Sequence, residues 1–184
     1  MALSLSETAL LINTALSAND VRAMRKINDR CIEETAIKFE QPTYQFALIS
    51  YVLSKILSKP RYLRAEGAKE KIGKISALLS ACETQAREAS YPALSSSQEK
   101  VLSAITSMDE EDRRFAKSIL QKGRLKIAST LYAQGISLGN AAEMAGTDRR
   151  ELLLYAGQTM MFDRVKEKRT IAQRMKSLRE IFVK

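Results

Sequence analysis

Positive charge is the most abundant chemical resource of this chain. Thirty Lys and Arg stand against 21 Asp and Glu in 184 residues, with no His, for a formal charge of +9. Two runs concentrate it. Arg113, Arg114, Lys117, Lys122, Arg124 and Lys126 follow one another with no acid between them. From residue 164 onward eight Lys or Arg, among them Arg164, Lys166, Lys168 and Arg169, meet only two acids. Residues 1–108 carry a net +3 and residues 109–184 a net +6. Guanidinium and ammonium groups neutralise phosphates and release their counterions, so the pattern implies a nucleic-acid partner. Solubility, an acidic protein and an anionic membrane are the other uses of such charge.

Other chemistry is scarce. The two cysteines, Cys31 and Cys82, form no CxxC pair, and with no His a Cys/His zinc site and a His-based triad are excluded on this chain. Both thiols read as buried and reduced. Asp109, Glu110, Glu111 and Asp112 form the one acidic cluster. Their expected place is the first turn of a helix, where acids complement the macrodipole without any metal. Tyr44 and Tyr51 lie in a strongly apolar segment and read as core, not as a cofactor slot. No nucleophile–base pair, Gly-rich phosphate loop or metal-ligand cluster stands out. The expectation is a protein that is not an enzyme and uses neither cofactor nor metal.

The stretch GISLGNAAEMAGTDRRELLLYAGQT, residues 135–159, reads as two short helices about a tight turn. Ser137 is placed to cap the first, and Ala141, Ala142 and Ala145 allow close approach of a neighbour. Gly146 supplies the turn, because only glycine takes positive φ without a Cβ penalty. Thr147 is placed to cap a second helix over 148–155. Helix, glycine turn, helix is also the order of elements in a helix-turn-helix.

On these residues the stretch resembles the helix-turn-helix family of DNA-binding proteins. A small residue, Ala142, stands four before the turn glycine, and Ala141, Ala145, Leu152 and Tyr155 are apolar where that pattern wants apolar side chains. Residues 128–159 also look like the corresponding segment of small prokaryotic, largely archaeal, predicted antitoxins. The resemblance implies that Asp148, Arg149, Arg150, Leu153, Leu154 and Gly157 face outward on the second helix. Arg149 and Arg150 would read base edges, and Ser137, Asn140 and Thr147 would donate to phosphate. Lys122, Arg124, Lys126, Arg164, Lys166, Lys168 and Arg169 would set affinity and its salt dependence. Leu153 and Leu154 depart from the base-reading types and suggest burial against protein.

Helices must position these side chains, and the few Gly and Pro favour long ones. The spacing predicts a capping-box helix from Ser4 and Glu7 through about Leu16, and a helix over 20–39 capped by Asn19. A helix over 43–58, apolar nearly all round, should be the central core element. A long helix over 62–89 follows. Its basic start, 61–74, reads as a solvated face or a second phosphate-facing surface. Residues 90–97, SYPALSSS, read as a linker, followed by a short helix over 98–106. Ser107 with Glu110 should start a further helix reaching 134. A basic final helix is expected over 162–182, with Ile171, Met175, Leu178 and Phe182 as a seam.

The fold class expected is therefore all-α, with an N-terminal helical bundle followed by a C-terminal helix-turn-helix unit and a long basic final helix. The domains would be 1–89 for dimerisation or partner binding, a linker at 90–97, and 98–184 containing the helix-turn-helix at 136–158. With no signal pattern and no apolar run long enough for a membrane span, a cytoplasmic protein is expected. Double-stranded DNA bound by a homodimer is the first functional expectation, as a transcriptional regulator. The alternative is a protein-interaction module of the antitoxin kind. An RNA-binding role ranks third, because aromatic platforms are few.

Overall fold

The computed structural model describes residues 3–65, 67–110 and 118–161. Among the described residues there are nine helices and no strand, so the fold is all-α. They are α1 (Leu5–Ser17), α2 (Val21–Ile37), α3 (Gln41–Leu57), α4 (Pro60–Arg64), α5 (Ala68–Arg87), α6 (Tyr91–Glu110), α7 (Ile119–Ala133), α8 (Leu138–Ala145) and α9 (Arg149–Gln158).

Local chemistry starts α1 as expected. Ser4 Oγ accepts from the Glu7 N–H, and Glu7 Oε2 accepts from the Ser4 N–H at 2.8 Å, a complete capping box. At α2 the cap is Asp20, whose carboxylate accepts from the N–H groups of Arg22 and Ala23. Asn19, the expected cap, instead takes the left-handed turn at φ 51°. Asn is among the few side chains that tolerate that region.

α3 is the centre of the molecule. Thirteen of its 17 residues are buried, and it packs on α1, α2, α4, α6 and α7. An apolar surface running all round a helix requires neighbours on all sides. α5 lies between α1 and α6, where Asn13 accepts from Ser76 Oγ and donates to Ser80 Oγ.

Three expected boundaries are corrected. The helix over 62–89 is two helices, since Gly67 at φ 69° interrupts the backbone ladder. Residues 91–97 are no linker but the first two turns of α6. Pro92 is tolerated there because the first-turn N–H groups have no helical acceptor. Leu94, Ser97, Gln98, Val101, Ile105 and Met108 form one buried stripe at helical spacing. The polar pair Ser97 and Gln98 hides that period in the sequence, and Gln98 Nε2 donates to the Pro42 carbonyl at 2.9 Å. α6 then continues through the expected short helix 98–106 to Glu110. Asp109 and Glu110 thus end a helix, and Ser118, not Ser107, caps the next one. Glu111 and Asp112, with Arg113, Arg114 and Lys117, lie outside the described residues, as does the expected helix 162–182.

A single buried cluster runs from Ala9 to Leu152, so α7, α8 and α9 share the core of the helices before them. Two contacts make the joint. A Cβ at Gly123 of α7 would stand 2.9 Å from Leu48 and 3.0 Å from Tyr51 of α3. The Tyr44 hydroxyl donates to the Ala145 carbonyl at the end of α8. Burial pushes the Tyr44 and Tyr51 phenols up to about 12, as it does the Cys31 thiol, and Cys82 to about 11. These four groups are neutral at physiological pH and serve packing. No helix among the described residues is long and apolar enough to cross a membrane.

Candidate nucleic-acid interface

α7, α8 and α9 pack on one another in all three pairings. α8 begins at Ser137, whose Oγ accepts from the Asn140 N–H. Its small side chains Ala141, Ala142 and Ala145 are buried. It ends at Gly146, with φ 61° and ψ 45°. There the Gly146 N–H donates to the Glu143 carbonyl and the Thr147 N–H to the Ala142 carbonyl at 2.9 Å. This paired closure requires the left-handed residue, and glycine takes it without the roughly 1–2 kcal/mol that a Cβ would cost.

Asp148, not Thr147, caps α9. Its Oδ1 accepts from the Arg150 N–H at 2.9 Å and the Glu151 N–H at 3.1 Å. The Glu151 and Arg150 backbone donors hold the Asp148 carboxyl below the usual carboxylate range. Asp and Thr both suit the position, and moving the cap by one residue puts Arg149 at the first helical position.

That shift separates the two arginines. Arg149 reaches back to α8, where a Cβ on Gly139 would stand 3.3 Å from its Nη2. Arg150 is exposed at the start of a different row. With Leu152 and Ala156 fully buried, residues 150, 153, 154 and 157 share the opposite side of the helix. Leu153 is 51% and Leu154 65% exposed, so among the described residues neither belongs to the core. Among the described residues nothing stands within 4 Å of a Cβ built on Gly157. The outward side of α9 is therefore a cation, two leucines and an open glycine.

The remaining candidates divide by position. Ser137 and Asn140 are exposed at the N-terminal end of α8. Thr147 is half-buried, and its hydroxyl has no hydrogen-bond partner among the described residues. Lys122, Arg124 and Lys126 are half-buried on α7. Arg124 stacks its Nη1 3.3 Å from the position of a Gly146 Cβ, so it braces the turn. Lys126 Nζ lies 3.3 Å from Met161 Sδ, which anchors the chain beside α7. Arg164, Lys166, Lys168 and Arg169 lie outside the described residues.

Between the start of α7 and the turn is a cleft lined by Ser118, Gln121, Arg124, Thr147, Asp148 and Glu151. Gln121 Nε2 donates to the Glu151 carboxylate across it at 3.4 Å. Two carboxylates against one guanidinium make it unsuited to an anion. Among the described residues no group of three His, Cys, Asp or Glu is arranged to hold a metal.

Sequence reasoning missed the Arg149–Gly139 contact. No local signal announces it, because a helical glycine can stand under a neighbour, as Gly139 does, or meet nothing among the described residues, as Gly73 does. No protein-family model matches the chain, and neither a curated protein nor a solved structure matches it.

Proposed function

We propose that the chain binds duplex DNA through α7–α9, with α9 as the element that enters the major groove, and that it acts as a transcriptional regulator. The observation that carries this reading is the outward row of α9, headed by Arg150, on a helix that follows a left-handed glycine turn. The supporting context is charge, because the half of the chain holding these helices carries a net +6. Arg150 is the base reader in this reading, with a planar fork that suits the O6 and N7 acceptors of guanine. Arg149, turned toward Gly139, contributes field and phosphate contact, as do Lys122, Lys126 and the basic segment from Arg164 onward. A homodimer on two half-sites is the proposed assembly.

The exposure of Leu153 and Leu154 favours a second reading, a module that docks a protein partner of the antitoxin–toxin kind. One experiment separates the two. Binding of the full chain is titrated with salt on a duplex from its own upstream region and on a random duplex, with size-exclusion mass in parallel. A steep salt slope, tighter upstream binding and a dimer mass support the regulator. Absence of binding at low salt refutes it.

A further inference from the structure

We propose that Leu153 and Leu154 read thymine 5-methyl groups in the major groove, beside the guanine contacted by Arg150. The inference rests on the DNA-binding reading above and adds the base specificity of that site.

α9 has two apolar sides. Leu152 and Ala156 seal one against the core at 0% exposure. Leu153 and Leu154, among the most exposed large apolar side chains of the described residues, form the other. Such a pair, exposed among the described residues on a helix whose core side is already buried, is available as a contact surface.

The occupant follows from what surrounds the pair. Arg150 lies three and four residues before the leucines in the same row, about 5 Å along the helix axis at 1.5 Å per residue. That distance is between one and two steps of duplex DNA. Of the nearby acids, Asp148 is turned into the helix start, where it accepts from two backbone N–H groups, and the half-buried Glu151 is turned toward α7, where it accepts from Gln121. The thymine methyl is the one apolar group that the major groove displays. A polyanion bearing methyl groups in its groove therefore matches a cation followed by two leucines.

Discrimination arises from the mismatch as much as from the match. Cytosine carries only a hydrogen at C5, so the leucines lose their apolar contact, and its N4 amino donor, which stands where thymine has O4, finds no acceptor on leucine and loses its water without replacement. Gly157, whose Cβ position meets nothing among the described residues, removes the next side chain in the row. The groove wall can then approach α9 closely enough for the leucine tips to reach the methyls.

The test uses the full chain. Preferred duplexes are selected from a random pool, and the tightest is remade with deoxyuridine in place of thymine, one position at a time. Deoxyuridine lacks only the methyl group. The expected result is a loss of about fourfold in affinity at one or two positions next to a guanine, the worth of one buried methyl-sized group. Leu153→Ala with Leu154→Ala should bind the thymine and deoxyuridine duplexes equally while keeping the salt slope. Selection of a defined sequence whose affinity is indifferent to deoxyuridine at every position overturns the inference. It leaves DNA binding intact and assigns the leucines to a protein partner. Failure to select any sequence, with no binding at low salt, instead removes the DNA-binding reading and the inference with it.

Discussion

Gly123 and Gly157 are both glycines inside helices, and they do opposite things. At Gly123 the missing Cβ lets α7 press on Leu48, Tyr51 and Val52 of α3. At Gly157 the missing Cβ meets nothing among the described residues. One glycine closes the molecule and the other leaves it open, which shows that the same residue type carries no fixed meaning in a helix. The α3–α7 joint fixes where α8 and α9 stand, and the outward side of α9 stays exposed among the described residues. The molecule thus separates the surface that holds α9 in place from the surface proposed to bind DNA.

Breaking the closed side should have the largest effect. Leu152→Ala removes a fully buried side chain of α9 and should cost about 2–5 kcal/mol, read from the denaturant midpoint. The double change of the neighbouring exposed leucines to Ala should stay within about 0.5 kcal/mol in the same measurement. Equal losses would erase the distinction between the two sides of α9.

The glycine comparison itself can be sharpened. Gly123→Val should lower stability by about 1–3 kcal/mol through overpacking against α3. Gly157→Ala should raise it slightly, by no more than about 1 kcal/mol, because alanine is the better helix former. The same alanine should weaken DNA binding by standing in the proposed contact. A destabilised Gly157→Ala protein would show that this face is already occupied within the chain.

The smallest effect is electrostatic. The folded-state pKa of Asp148 is depressed, so its cap contributes fully above the ordinary carboxylate range and is lost as pH falls through the folded value. Asp148→Asn keeps a good capping side chain without the charge. The variant should therefore unfold with a flatter acid dependence than the parent below pH ~4. Identical acid profiles would show that the Asp148 cap does not contribute.

Much of the fold was legible where one signal acted alone. Ser4 with Glu7 marks α1, the all-round apolar run marks α3 as central, and Gly146 marks the turn. Legibility failed where signals competed. Ser97 and Gln98 sit in a buried stripe where a carbonyl of α3 accepts from Gln98 Nε2, and no local pattern announces a partner 56 residues away. Thr147 and Asp148 are both good caps in sequence, and only the backbone geometry after Gly146 chooses Asp148. Arg149 and Arg150 look equivalent in sequence, yet adjacent helical positions differ by about 100° in direction, and so one turns to Gly139 and the other outward.

The most direct test of the central claim is amide hydrogen exchange of the full chain with and without a selected duplex. The account predicts new protection concentrated in residues 149–158 and at the start of α8, with the α1–α2 and α3–α7 contacts unchanged. Protection appearing instead on α1, α2 or α5, with 149–158 unaltered, would contradict it.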